Sequence, residues 1–297
     1  MTWRAVAPPP WSLAVAAMGS VQLGAALSMP LISTVGPAGT AWLRLTMGAL
    51  IFPLLARPPL RQVHRHDLPT LLGLGLATGL VSIAFLAAIE RIPLGTAVAI
   101  EFLGPLTIAA VRSHTRRALV LPGIALVGVD LLTQPWLGGI NPAGVGYAAL
   151  AAVGSAAYIL LTQRIGDRFS GITGLSLTVP IAAATAAAVA IPQAVGHLTT
   201  AVLAGALGLA LLFPILPFAL ELLALRHMTP TAFGTLMALE PAFGVLLGML
   251  LLHQVPAPAQ GVGIVLVVVA GAVAQRGGLR RQAIHVARPQ SELDPIS

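Results

Sequence analysis

Apolar residues dominate this chain in long stretches, each bounded by Pro, Gly, Arg or His. A helix needs about 20 apolar residues to cross the hydrocarbon core of a bilayer, so each stretch predicts a membrane-spanning helix. The pattern therefore predicts an all-α integral membrane protein with ten transmembrane helices. These fall near residues 11–31, 38–56, 68–90, 94–111, 118–134, 142–162, 172–192, 200–225, 229–251 and 256–275.

Composition agrees with this prediction and excludes several other classes. Hydrophobic residues make up 57% of the 297 residues and charged residues only 8%, which leaves no stretch for a sizeable water-soluble domain. The chain has no cysteine, which excludes disulfides and thiolate metal sites. No catalytic, nucleotide-binding or zinc-ligand motif is found either. We therefore expect no enzyme activity, no metal and no cofactor.

The basic residues predict the orientation of the chain. All 16 are arginines, and 14 of them lie on one side of the ten-helix arrangement. The positive-inside rule makes that side cytoplasmic, with both termini inside the cell. The arginines are scattered between apolar runs, so the net charge of +7 does not predict nucleic-acid binding. Residues 276–297 are expected to form a disordered cytoplasmic tail near anionic lipid.

Two segments of the chain repeat. Residues 88–97 and 224–233 run in parallel, and each leads at the same offset to a proline, Pro105 or Pro241. We interpret residues 1–137 and 138–275 as two five-helix repeats. Because five is odd, the second repeat must enter the membrane from the opposite face. Inverted repeats are typical of secondary transporters, which bind substrate near the midplane between the halves.

Several segments also resemble a known family. They include 20–27 (SVQLGAAL), 43–45, 92–106 (IPLGTAVAIEFLGPL), 158–164 and 233–242 (FGTLMALEPA), and they span both repeats. In these segments the chain resembles the EamA-type drug/metabolite transporter superfamily, and within it the threonine and homoserine exporter group. The resemblance implies an inner-membrane exporter of small amino acids or related metabolites, driven by an ion gradient. One departure is at 252–254 (LHQ), where many members carry a glutamate.

Acidic residues inside the apolar runs are the main candidates for the transport site. A charge near the bilayer centre costs roughly 2.5–3.5 kcal/mol, so such residues usually mark a substrate or ion pathway. Glu101 precedes Pro105 by four residues and Glu240 directly precedes Pro241, which places them on roughly one helix face in matched repeats. We expect both to bind substrate and to couple protons. The alternative is that backbone or neighbouring polar groups simply satisfy each carboxyl.

Arg44 is the one cation predicted to lie within the membrane interior. A guanidinium suits bidentate capture of a substrate carboxylate, but it can equally neutralise Glu101 or Asp130 permanently. Four acids lie in apolar runs, namely Glu101, Asp130, Glu221 and Glu240. One arginine cannot compensate the charge of all four, so some of these carboxyls are expected to be protonated. Proton antiport follows as a hypothesis, with protons and the lipid bilayer as partners. The oligomeric state, including a homodimer, is left open.

Other candidates have weaker support. Gln22 and Tyr158 lie on the first helix of each repeat and either bind substrate or join helices. Phe233 either lines the cavity or packs. Glu221 is predicted to lie near a helix end, where its carboxyl either anchors the helix at the membrane surface or takes part in proton coupling. Low aromatic content favours a small zwitterion over the runner-up substrates, which are other small metabolites or cationic drugs. A membrane-embedded protein that does not transport is the remaining alternative.

Overall fold

The structure is a computed structural model that describes residues 9–55, 63–112, 120–137, 139–166 and 172–286. All regular secondary structure in these residues is helical. The α-helices are α1 (Pro10–Leu27), α2 (Met29–Leu55), α3 (Leu68–Ile89), α4 (Leu94–Arg112), α5 (Val120–Thr133), α6 (Pro142–Gly166), α7 (Ile172–Ala194), α8 (Thr200–Ala210), α9 (Leu216–Leu225), α10 (Pro230–Met237), α11 (Glu240–Leu252) and α12 (Pro258–Val286).

The described residues contain eight helical segments long and apolar enough to cross a membrane, together with a shorter apolar helix at Pro258–Ala274. The segment Thr200–Leu225 combines α8 and α9, and Ala232–Leu252 combines most of α10 with α11. The predicted all-α membrane architecture is confirmed, whereas ten crossings are more than these criteria find. The tail predicted for 276–297 begins as a continuation of α12 to Val286, and 287–297 lies outside the described residues.

Three of the long helical segments are interrupted. In α2 the backbone at Gly36 has φ +74° and ψ 168°, a conformation that glycine adopts at little cost. Between α8 and α9 a π-helical turn at Leu211–Ile215 contains Phe213 in an extended conformation, next to Pro214. A short turn separates α10 from α11. At membrane depth such interruptions persist only where the freed backbone groups face protein or a wet cavity.

The helices pack in matched pairs. Helix α3 contacts α6, and α1 contacts α9; α4 contacts α6, and α1 contacts α11. Helix α3 also contacts α7, and α2 contacts α8. Three further pairs join spans that hold the same position in the two halves of the sequence, when α8–α9 and α10–α11 each count as one span. They are α2 with α7, α4 with α11 and α5 with α12. Each half therefore packs mainly against the other half.

Small residues let the helices at the centre approach closely. Gly104 of α4 lies against the backbone of Ala152 in α6, where a Cβ atom would overlap the Ala152 carbonyl oxygen. Gly24 of α1 lies against the segment between α8 and α9, where a Cβ atom would meet Leu212 Cβ at 3.3 Å. Close approach through small residues is the usual packing mode of membrane helices. It holds α1, α4 and α6 around the middle of the bundle.

Candidate functional site

Five ionisable side chains of the apolar helices lie near one another, since the charge of each acts on at least one other. Arg44 of α2, Glu101 of α4, Tyr158 of α6, Glu221 of α9 and Glu240 of α11 form what we call the polar cluster. Arg44 is buried, and the other four are half-buried: neighbouring atoms enclose them, but each keeps surface that a water molecule can reach. Five helices thus contribute ionisable groups to this cluster.

Glu101 is held by a side chain of a neighbouring helix. The hydroxyl of Ser155 in α6 donates a hydrogen bond of 2.8 Å to Glu101 Oε1. The close contact of Gly104 with Ala152 brings α4 and α6 together one turn away. Because only one carboxylate oxygen is occupied by Ser155, the other is available to a proton, an ammonium group or water.

Arg44 lies over an aromatic ring. Its guanidinium carbon is 4.6 Å from the centre of the Phe213 ring, a cation–π contact worth roughly 0.5–2 kcal/mol. The extended backbone at Phe213 allows this contact, because a continuous helix would direct the ring elsewhere. The hydroxyl of Ser20 donates a hydrogen bond of 2.8 Å to the Leu212 carbonyl at the same interruption. Polar groups of α1 therefore compensate part of the broken helix.

Arg44 interacts electrostatically with Glu101, but the two side chains do not form a direct ion pair. Its Nε has no hydrogen-bond partner within the described part of the chain. A buried N–H without a partner costs about 1–3 kcal/mol, so the arrangement favours a guest that supplies the missing acceptor. The charge of Arg44 thus acts on Glu101 without a direct contact between the two side chains.

The remaining carboxyls extend the polar cluster from Glu101. Glu240 lies close enough to both Glu101 and Glu221 for their charges to interact. Glu221 interacts in the same way with the phenol of Tyr158. Glu221 was predicted to lie near a helix end, where a rim anchor competed with proton coupling. In the structure, the carboxyl of Glu221 lies close enough to Glu240 for their charges to interact.

Two further candidates, Gln22 and Phe233, lie on other helices, and the described residues show no hydrogen bond between them and the polar cluster. Gln22 is buried in α1, and its Oε1 has no hydrogen-bond partner among the described residues. Phe233 is half-buried in α10. Asp130 is exposed near the end of α5, away from the centre of the bundle.

Comparison with known proteins decides what kind of protein holds this site. Residues 142–274 match the EamA-like transporter family. The threonine/homoserine exporter RhtA of Escherichia coli (strain K12) is 33% identical over 261 residues, which are 84% of this chain and 86% of that protein. RhtA of Salmonella typhimurium (strain SL1344) is 35% identical over 243 residues, covering 80% and 81%. The chain belongs to the EamA-like transporter family.

This EamA-like transporter also shares its fold with a solved crystal structure. The two superpose with a TM-score of 0.58 at 19% identity, over 92% of this chain and 99% of the other. The likeness supports the helical arrangement alone. The family and the exporter relatives make the chain a multi-pass inner-membrane protein that transports small molecules, as the resemblance of its segments indicated.

Two residues that contact the polar cluster, Ser155 and Phe213, were missed from the sequence. Ser155 precedes Tyr158 by three residues on α6, so the two share a helix face, and a serine on the face of a candidate was a usable signal. Phe213 precedes Pro214, and a proline inside an apolar run predicts only that the helix bends near this point. Nothing local indicated that its ring would lie beneath Arg44, because that contact joins two helices far apart in sequence.

Proposed function

We propose that this transporter exports small amino acids of the threonine and homoserine type by proton antiport, with alternating access to one central site. The observation that carries the proposal is the polar cluster itself. It combines a buried guanidinium, whose Nε lacks a hydrogen-bond acceptor among the described residues, with a series of interacting carboxyls. An amino acid offers a carboxylate to the first and an ammonium group to the second. The relatives named threonine/homoserine exporters support this substrate class.

The proposed route assigns a role to each group. Arg44 binds the substrate carboxylate, and Glu101 binds either the ammonium group or a proton. Competition of substrate and proton for one carboxyl couples their movements in opposite directions. Glu240 and Glu221 pass the proton onward from Glu101. Gln22, Tyr158 and Phe233 complete the substrate-binding surface.

The architecture we propose has ten crossings in two inverted halves, residues 1–137 and 138–275. Helix α2 supplies a crossing despite its interruption at Gly36, and α12 supplies the last. The paired contacts support the repeat. Helix α6 is the counterpart of α1, and the span of α8 and α9 is the counterpart of α3, so the contact of α3 with α6 has its equivalent in the contact of α9 with α1. Rocking of one half against the other would open the central site to each side in turn.

The proposed orientation predicts which loops face the cytoplasm. Since the chain has no cysteine, single cysteines can be labelled without background. In intact cells, a membrane-impermeant maleimide should label His197→Cys, between α7 and α8, but not His227→Cys, between α9 and α10. Both histidines are exposed, so accessibility to water is matched. Labelling of both, or of His227→Cys alone, would contradict the orientation.

The substrate class is tested by transport in two settings. Cells that overproduce the protein should grow at threonine and homoserine concentrations that stop control cells. Proteoliposomes loaded with labelled homoserine should release it when a pH gradient is imposed and should retain it when the gradient is collapsed. Resistance to lipophilic cations alone would favour the runner-up substrates. Homoserine release at the same rate with and without a pH gradient would contradict proton coupling.

A further inference from the structure

A groove of about 510 Å³ lies where α4 and α6 end, apart from the polar cluster. Its walls are apolar along α6, and its polar side chains stand at the helix ends. The lining residues are Arg112, Ala157, Leu160, Leu161, Gln163 and Arg164.

The groove opens on the outer face of α6. Successive residues of an α-helix are rotated by about 100°, which places Leu160 and Arg164 on the side shared by Val153. Val153 is 67% exposed and Leu160 is 38% exposed, as expected of side chains that face lipid. Ser155, which binds Glu101, lies roughly on the opposite side of the helix. The groove therefore faces acyl chains and is separate from the transport site.

Two arginines mark one end of the groove. Arg112 lies in the last turn of α4 and Arg164 in the last turn of α6. Arg112 also donates a hydrogen bond to the side-chain oxygen of Gln163, which fixes its position relative to α6. Each guanidinium has five N–H donors, so both keep donors for a further anion.

We propose that this groove binds an anionic phospholipid. The headgroup phosphate lies between Arg112 and Arg164, and one acyl chain lies along Ala157 and Leu160. Guanidinium groups bind phosphate through two parallel hydrogen bonds, and basic pockets between membrane helices are typical lipid headgroup sites. The apolar walls favour a lipid over free phosphate, because a soluble anion would leave them without a partner.

The consequence concerns the two helices that hold Glu101 and Ser155. A phosphate that contacts the ends of both α4 and α6 ties these helices together. Bound lipid should therefore stabilise the folded protein as well as associate with it, since a ligand that binds only the folded state raises its stability.

The test uses the purified full-length chain in a neutral detergent, with phosphatidylglycerol or phosphatidylcholine added and binding followed by native mass spectrometry. The wild type should bind phosphatidylglycerol more tightly and should melt at a higher temperature with it. Changing Arg112 and Arg164 together to Gln should weaken phosphatidylglycerol binding roughly 25-fold, since each arginine near the surface contributes about fivefold. Arg226→Gln, which removes an exposed arginine outside the groove, should change it less than about twofold.

A second variant tests the acyl-chain wall with both arginines intact. Ala157→Trp should fill the groove and weaken binding of both lipids. Equal affinity of the wild type for the two lipids, unchanged binding in either groove variant, or an equal loss in Arg226→Gln would overturn the proposal. Displacement of phosphatidylglycerol by millimolar inorganic phosphate would also overturn it, because the site would then belong to a soluble anion.

Discussion

Glu101→Gln is expected to abolish export driven by a pH gradient, with a loss of roughly 100-fold or more. Glutamine keeps the shape of the side chain and can still accept the hydrogen bond from Ser155. It cannot bind and release a proton, and loss of an essential proton acceptor typically costs 100- to 10,000-fold in rate. The measurement is release of labelled homoserine from proteoliposomes under an imposed pH gradient.

A second measurement, of homoserine exchange, distinguishes loss of proton coupling from misfolding. Without a gradient, Glu101→Gln proteoliposomes should still exchange internal for external homoserine, although with a raised KM. The amide oxygen of glutamine can still accept a hydrogen bond from the ammonium group, and exchange needs no net proton movement. Glu90→Gln is the matched control, since Glu90 lies at the end of the bundle and pairs with Arg91. Gradient-driven export at the normal rate in Glu101→Gln would remove this residue from the coupling role.

Arg44→Gln is expected to raise the KM for homoserine by about 30-fold or more. Truncating one partner of a buried charge pair costs roughly 2–5 kcal/mol, and in our account the substrate carboxylate is that partner. The sharper measurement compares homoserine with its carboxamide, which lacks the negative charge. The wild type should prefer homoserine strongly, and Arg44→Gln should transport both poorly and almost equally.

The chain offers a close control for Arg44. Arg91 also lies over an aromatic ring, 5.1 Å from the centre of Tyr147, but it stands at the end of the bundle beside Glu90. Arg91→Gln should leave the preference for the carboxylate unchanged. A neutralising role for Arg44 predicts a different outcome. Arg44→Gln would then keep the preference for homoserine over its carboxamide, and the double variant Arg44→Gln with Glu101→Gln would regain transport.

The helices and the family were predictable from local features of the sequence. Apolar runs such as 68–90 have the length of a membrane span, and the repeat around Pro105 and Pro241 is visible in the residues. The prediction that Arg44 and Glu101 belong to one site followed from the cost of charge in lipid. Such arguments need no knowledge of how helices rotate against one another.

The details that depend on helix rotation and on broken helices were not predictable. Position along the sequence placed Glu221 near a helix end, and α9 does end four residues later at Leu225. The interaction of its carboxyl with Glu240 depends on how these helices pack and was not predictable. The stacking of Phe213 beneath Arg44 likewise depends on one extended residue. Apolar composition alone cannot specify where a proline-containing span will break, because nearby packing decides this.

The central claim is that the ionisable groups of several helices face one water-filled site that substrate enters. The most direct measurement is the reaction of Ser155→Cys, in the otherwise cysteine-free chain, with a water-soluble methanethiosulfonate, with and without homoserine. Ala149→Cys, on the exposed face of the same helix, is the control for contact with lipid. Our account predicts that Ser155→Cys reacts, that homoserine slows the reaction, and that Ala149→Cys stays unreactive in either condition. A Ser155→Cys that remains unreactive from both sides of the membrane, or one whose reaction homoserine does not change, would contradict it.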